Sequence, residues 1–518
     1  MITEKSSIIW DIMMLIREII STIYPEILLL IALLISVLLS TTKFKNLIWL
    51  TSTILMLAGC IHLIKNPMIK PIEILNGMFI SDDLSYIFRL LTLIIAILIT
   101  LGANKYTEGF VHKGEFMILM LSSVIGIMFL VSANDLITIF VALETLSLGS
   151  IMLAGYSKYD LRSNEASLKY LLNSAGASAI FLFGLSILYG LSGSTQLDDI
   201  RNKLIQLNNS GSLNQNIIII ALILIIGGLA FKLASAPLHM WSPDVYEGSP
   251  TPVTAFLSVA SKAGGFAIVL RLLLIVLGFS FTIWQPIIII ISTLSMLIGN
   301  FVALGEVINK TSIKRLMAYS SIAQVGYILI GIALNTHEAI SASIFYLIIY
   351  SIMNLGAFLC IIAFGNEVNS DVISDYSGLV KKRPLLAFTF CICLFNLAGL
   401  PIPPAGFIAK FILFKSAFDA GHIGIFLGTI ALITTILSVF YYSYIVKLMV
   451  VNQPSQAVLN MDSNEESIGP SMELNTAILI SISAIFILSV ISNPILQHTS
   501  KLAKVMSYKS QVISFKTK

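Results

Sequence analysis

Residues 217–276 read IIIIALILIIGGLAFKLASAPLHMWSPDVYEGSPTPVTAFLSVASKAGGFAIVLRLLLIV. Two long apolar runs flank a segment with four prolines, Pro237, Pro243, Pro250 and Pro252. Each run has the roughly 18–25 residues that a helix needs to cross about 30 Å of hydrocarbon. The proline cluster cannot continue a regular helix, because proline lacks an N–H and clashes with the preceding turn. Inside the apolar runs sit two lysines, Lys232 and Lys262. The stretch therefore predicts a membrane-embedded helix that breaks beside a buried charge, followed by a second spanning helix.

The rest of the chain extends this pattern. Hydrophobic residues make up 57% of the 518 residues and charged residues only 11%, against about 25% charged in soluble domains. Only helices or closed barrels satisfy the backbone in lipid, and the apolar runs are too long for barrel strands. The predicted fold is an all-α polytopic membrane protein with about fourteen spans, at 22–41, 46–64, 84–103, 115–132, 134–155, 166–192, 217–235, 250–276, 281–304, 312–334, 338–365, 384–418, 422–449 and 473–496. The run 384–418 carries Pro401, Pro403 and Pro404 and predicts a second broken span. Residues 7–20, apolar but containing Asp11, Arg17 and Glu18, predict a separate interfacial helix ahead of the first span.

Loop charge sets the orientation. Lys43, Lys45, Lys105, Lys158, Arg162, Lys310, Lys314, Arg315, Lys381, Lys382 and Arg383 all fall in loops of one face, which predicts a cytoplasmic, stromal or matrix side there and both termini opposite. The net charge of +4 is modest and suggests no nucleic-acid partner. Cys60, Cys360, Cys391 and Cys393 lie in predicted spans without companions suited to a metal site. A phosphate-binding loop, a dinucleotide fingerprint and runs of haem or iron–sulfur ligands are absent from the sequence, so no cofactor is expected in this chain.

Ionisable residues in the wrong solvent carry the functional signal, since a charge near the bilayer centre costs several kcal/mol. Glu144 in FVALETLSLGS, Lys232 in LAFKLASAPLHMW, Lys262 in LSVASKAGGFAIV and Lys410 in AGFIAKFILF lie mid-span; Lys169 in NEASLKYLL is nearer a helix start, where a lysine can also snorkel to the interface. A carboxylate and several amines in one low-dielectric bundle suit proton relay, because burial and neighbouring charges move their proton affinities. Lys232 and Lys410 both adjoin helix breaks. Broken helices at matching positions in two halves point to a transporter site between inverted repeats. This divides the chain into N-terminal helices (1–114), a first inverted five-helix unit (115–276), a second (281–449), and a polar loop, last helix and basic tail (450–518).

These residues carry a resemblance. FKLASAPLHMWSPDVYEGSPTPVTAFLSVASK, SIKRLMAYSSIAQVGYILIG, SANDLITIFVALETLSL, LRSNEASLKYLL, ILYGLSGST and ISNPIL resemble the NdhB/NuoN family, the antiporter-like membrane-arm subunits of complex I, over about residues 22–496. The resemblance implies fourteen helices with two inverted repeats broken in the seventh and twelfth. It matches Glu144, Lys169, Lys232, Lys262 and Lys410 to the family's charged residues on the fifth, sixth, seventh, eighth and twelfth helices, with Glu144 and Lys232 as a switching pair, Lys262 as central relay and Lys410 toward the exit. His239 either lines the connecting path or caps the broken helix, and Asp244 and Glu247 are expected to anchor the DVYEG loop. Where the family reads GLPPLAGFFGK, this chain reads GLPIPPAGFIAK, and one extra residue in a regular helix would rotate Lys410 by about 100°.

The implied function is proton translocation in the membrane arm of an NAD(P)H- or ferredoxin-dependent quinone oxidoreductase. Its iron–sulfur clusters and quinone would belong to the complex, and its partners would be other membrane-arm and peripheral-arm subunits and the lipid bilayer. YDLRSNEASLKYLL and KLMVVNQPSQ look closest to plastid and cyanobacterial members, which favours a thylakoid location over a bacterial or mitochondrial inner membrane. Two alternatives remain open: a cation/proton antiporter subunit, which the DVYEGSPTP run and the lack of a lateral-helix extension in this sequence weigh against, and a scaffold of the membrane arm that carries no protons.

Overall fold

The computed structural model describes residues 2–67, 71–110, 112–461 and 468–515. In chain order the helices are α1 (Ile2–Ser40), α2 (Leu47–Lys65), α3 (Asp83–Tyr106), α4 (Lys113–Ser132), α5 (Leu136–Ala154), α6 (Leu161–Ser192), α7 (Leu197–Asn209), α8 (Gln215–Lys232) and α9 (Trp241–Gly248). They continue with α10 (Thr251–Phe256), α11 (Lys262–Val269), α12 (Phe281–Ile308), α13 (Ile313–Leu334), α14 (His337–Val368), α15 (Pro384–Ala398), α16 (Ala405–Phe418), α17 (His422–Val450), α18 (Gln456–Leu459), α19 (Met472–Val490) and α20 (Ser492–Phe515). Strands β1 (Ile72–Ile74) and β2 (Phe79–Ser81) form a short antiparallel hairpin ahead of α3.

Among the described residues, 13 helices are long and apolar enough to cross a membrane. The pair α15 and α16 makes the fourteenth crossing in two pieces, as the prolines of 384–418 predict. One expectation is corrected: residues 7–20 are not a separate helix, because α1 runs without interruption from Ile2 to Ser40 through Pro25. Several elements go beyond the sequence reading: the β-hairpin, the amphipathic α7, which buries Leu197, Ile200 and Leu204, the short α18 in the expected polar loop, and α20, which makes the expected basic tail a helix as far as Phe515.

Short caps set the turns between spans. Asp135 ends one loop by accepting the Ile137 N–H at 2.8 Å, and Thr336 does the same for Ala339 at the start of α14. Such side chains replace partners that the first turn of a helix lacks. Isolated bridges join Phe79 to Ala133 and Asp135 to Gln196 on one face, and Ser312 to Val372 on the other. These contacts keep the loops in the two sets that alternate crossings require.

Small residues bring the helices together where lipid gives no hydrophobic drive. A Cβ on Gly299 of α12 would lie 2.5 Å from the Ala323 nitrogen of α13, and one on Gly326 would lie 2.8 Å from the Met296 nitrogen. The segments Thr251–Val276, Ile313–Leu334 and His337–Val368 are each 94% buried over their most apolar stretch, against 28% for Met472–Val490. They form the centre of the bundle, and Lys262 belongs to the first of them. The breaks fall in the fourth crossing of each five-crossing set, α8/α9 and α15/α16. The two sets begin on opposite faces, so they are inverted relative to each other.

Candidate functional site

The first break starts where α8 ends at Lys232. The break there uses Ala234 at φ +54° and leaves main-chain groups that need partners in a dry bundle. Ser295 Oγ of α12 accepts the Ala236 N–H at 2.9 Å, and the Trp241 indole N–H donates to the Phe231 carbonyl at 3.1 Å. Trp241 also stacks on Tyr170 of α6, with centroids 4.6 Å apart. So anchored, the end of α8 holds Lys232 inside the protein with 5% of its surface exposed.

Lys232 Nζ donates to Ser147 Oγ of α5 at 3.1 Å. Ser147 stands three residues after Glu144, on the same side of α5. The Glu144 carboxylate instead accepts a hydrogen bond from Ser178 of α6 and is half-buried. Lys232 makes no ion pair among the described residues. The expected partners therefore lie on neighbouring positions in an unpaired arrangement, each held by a serine.

Lys262 sits where a π turn, Leu257–Ser261, meets α11, and a second π turn, Leu270–Val276, ends this central crossing. Such turns leave irregular main chain inside a helix and recur at functional sites. Nζ donates to Ser321 Oγ at 2.7 Å and to the Ser321 carbonyl at 3.1 Å, both on α13. No carboxylate pairs with it among the described residues.

Lys410 is buried as well, so the added residue is absorbed in the 399–404 break and the side chain still faces the interior. Its Nζ donates to the Ala398 carbonyl at 3.0 Å and lies 5.2 Å from the centre of the Tyr327 ring. Ala398 is the last residue of α15, so the ammonium faces the negative end of a helix dipole. Gly399 permits this approach with φ +85°; a Cβ there would lie 2.7 Å from Lys410 Cδ. Asn396 closes the break, its Oδ1 accepting the Gly406 N–H at 3.1 Å.

Between Lys262 and Lys410 runs a polar stripe along α13. Ser320 and Tyr442 share a hydrogen bond, and Tyr346 donates to Gln324 Oε1. Gln324 Nε2 reaches toward the Leu397 carbonyl at 3.4 Å, and the Tyr327 hydroxyl donates to Thr434 at 3.1 Å. On the Lys262 side, Asn354 Nδ2 donates to Ser258 Oγ at 3.1 Å and to the Tyr350 hydroxyl at 3.2 Å. Hydroxyl and amide groups that both donate and accept thus occupy the interior between the two buried amines, as separate hydrogen-bonded sets. The sequence signal for this stripe is the spacing of Ser320, Gln324 and Tyr327, four and three residues apart within an apolar helix.

Lys169 stands apart from that line. Its side chain is 43% exposed and pairs with Glu165 and Asp244, each at 2.7 Å. Asp244 also binds Arg315 at 2.9 Å, and Arg315 binds Glu247 and Glu306 at 3.1 Å each. This network ties α6, α9, α12 and α13 at the basic face, with Asp244 and Glu247 serving as anchors. Arg315 and Glu306 are its additions to the predicted set. His239 is buried in the first break, 6.5 Å from the Tyr319 ring, and its Nδ1 has no hydrogen-bond partner among the described residues. No group of three or more His, Cys, Asp or Glu suited to a metal occurs among the described residues.

Two inverted units, each broken beside a buried lysine, define an antiporter-like membrane protein. Residues 133–438 match the family described as NADH:quinone oxidoreductase/Mrp antiporter, transmembrane. Proteins named NAD(P)H-quinone oxidoreductase subunit 2 are similar along most of their length. The protein of Gloeothece citriformis is 44% identical over 85% of this chain and 84% of its own, and that of Microcystis aeruginosa 45% identical over 82% of each. The chain belongs to the NAD(P)H-quinone oxidoreductase subunit 2 family. Among solved structures, a chain of respiratory complex I from Thermus thermophilus is 28% identical with a TM-score of 0.73, over 91% of this chain and 98% of that one. A chain of the Mrp complex from Dietzia shares the fold at TM-score 0.79 and 21% identity, over 95% of this chain and 99% of that one.

Proposed function

We propose that this integral membrane subunit carries protons in the membrane arm of a complex I-type NAD(P)H-quinone oxidoreductase, along a line through Lys232, Lys262 and Lys410. The observation that carries the reading is that all three amines are buried, adjoin irregular helix and lack a carboxylate partner among the described residues. An ammonium kept only for stability would be paired, because an unpaired buried charge costs several kcal/mol. Amines held by hydroxyls and carbonyls can exchange a proton with a neighbour without breaking an ion pair. In this reading Glu144 modulates Lys232 from the adjacent position, Lys169 and Asp244 hold the basic face together, and His239 stands beside the path in the first break. Quinone reduction and the iron–sulfur clusters belong to partner subunits.

The relatives from cyanobacteria support a finer reading, in which the subunit works in a thylakoid membrane with plastoquinone as acceptor and takes part in photosynthetic electron transport. The basic loops then face the stroma or cytoplasm. Native electrophoresis of gently solubilised source membranes, with mass spectrometry of the band holding this chain, tests it. Ferredoxin-docking partners are expected; NADH-oxidising flavin subunits would move the protein to a respiratory complex, and a band without redox subunits would favour an antiporter.

A further inference from the structure

Away from the lysine line, α3, α14 and α20 enclose a cavity of about 590 Å³. Its α3 wall is built on the stripe Asp83, Ile87, Leu90 and Ile94, with Tyr86 and Leu91 beside it; the stripe is spaced by four, three and four residues and so shares one helix face. From Asp83 to Ile94 the helix rises about 16 Å at roughly 1.5 Å per residue, about half of a 30 Å hydrocarbon core. The groove thus runs from the membrane surface to the middle of the bilayer, the depth of one leaflet. Ile348 and Ile495 line its other sides.

The mouth is chemically different. His498 and Lys501 of α20 line it and are exposed, and Lys501 has no acidic partner among the described residues. Asp83 is the first residue of α3, where the N–H groups of the opening turn offset its charge. The α20 wall is fixed: His337 Nε2 lies 2.8 Å from the Ser500 carbonyl, and the Ser341 and Thr499 hydroxyls are 2.9 Å apart. An apolar slot one leaflet deep with an ammonium at its rim complements a molecule with a fatty chain and an anionic head.

We propose that this groove binds an anionic glycerolipid, with an acyl chain along Ile87, Leu90 and Ile94 and its phosphate or sulfonate at Lys501 and His498. The site lies on the face opposite the basic loops and is separate from the buried lysines.

The test uses the intact complex reconstituted in phosphatidylcholine with a minority of phosphatidylglycerol, carrying a benzophenone side chain in place of Ile87. Illumination followed by mass spectrometry is expected to give diacyl-lipid adducts enriched in phosphatidylglycerol relative to the bulk. Lys501→Glu is expected to abolish that enrichment, and Lys501→Arg to preserve it. A sulfolipid in place of phosphatidylglycerol distinguishes a general anion site from a phosphate site, and enrichment of either supports the proposal. Adducts to a neighbouring subunit or a prenylquinone, or lipid adducts in bulk proportion, would overturn it.

Discussion

Lys262 Nζ donates to the Ser321 hydroxyl at 2.7 Å, joining the most buried crossing of the first unit to the polar stripe of α13. Hydrogen bonds to charged groups contribute about 1.5–3 kcal/mol. Ser321→Ala is expected to leave the complex assembled on native gels yet lower proton pumping partially, because the carbonyl contact remains. Pumping at the wild-type level would show that the hydroxyl is not on the path.

Gly399 and Lys410 make a second, steric test. An alanine at 399 meets both an unfavourable positive φ and the Lys410 stem at 2.7 Å. Gly399→Ala is expected to displace the ammonium from the Ala398 carbonyl and reduce pumping toward the level of Lys410→Met. Unchanged pumping in both variants, measured by a pH-sensitive dye in vesicles, would remove Lys410 from the proposed line.

Arg315 holds three carboxylates at once. Lysine keeps its charge and loses the planar fork. Because these groups are partly exposed, Arg315→Lys should cost only about 1–2 kcal/mol. The expected readout is a lower thermal midpoint of the detergent-solubilised complex, with residual pumping largely kept. A large pumping defect with an unshifted midpoint would instead put Arg315 on the proton path.

Asp82, just before α3, gives a pH prediction. Burial pushes its carboxyl up, but Arg271, with two hydrogen bonds of 3.0 Å, and Ser85 outweigh that and hold it below the ordinary carboxylate value. A depressed folded value adds stability above the unfolded pKa of about 3.9, and that stability is lost as pH falls through the folded value. The thermal midpoint should therefore fall below about pH 4, and Asp82→Asn should lower it at neutral pH while flattening that acid dependence. An equal acid slope in both proteins would assign the loss to other groups.

Much of this was legible in the sequence for physical reasons. Apolar run length marks a span whatever its neighbours are, and Pro237 and Pro403 mark breaks because they cannot continue a helix. Lys232, Lys262 and Lys410 stood out as charges in hydrocarbon. Their partners did not, because Ser147 and Ser321 lie 85 and 59 residues away and a serine in a helix carries no special signal. The buried pair Glu26 and Arg89, 2.5 Å apart across α1 and α3, escaped likewise. The amphipathic α7 was readable from Leu197, Ile200 and Leu204, but its polarity placed it outside the span pattern.

The most direct measurement is the number of protons moved per electron by the complex carrying Lys262→Ala, in sealed vesicles with quinone reduction followed in parallel. The structure predicts fewer protons per electron with the complex still assembled, and slowed quinone reduction alongside. A wild-type ratio would contradict the relay and leave this subunit as a scaffold of the membrane arm.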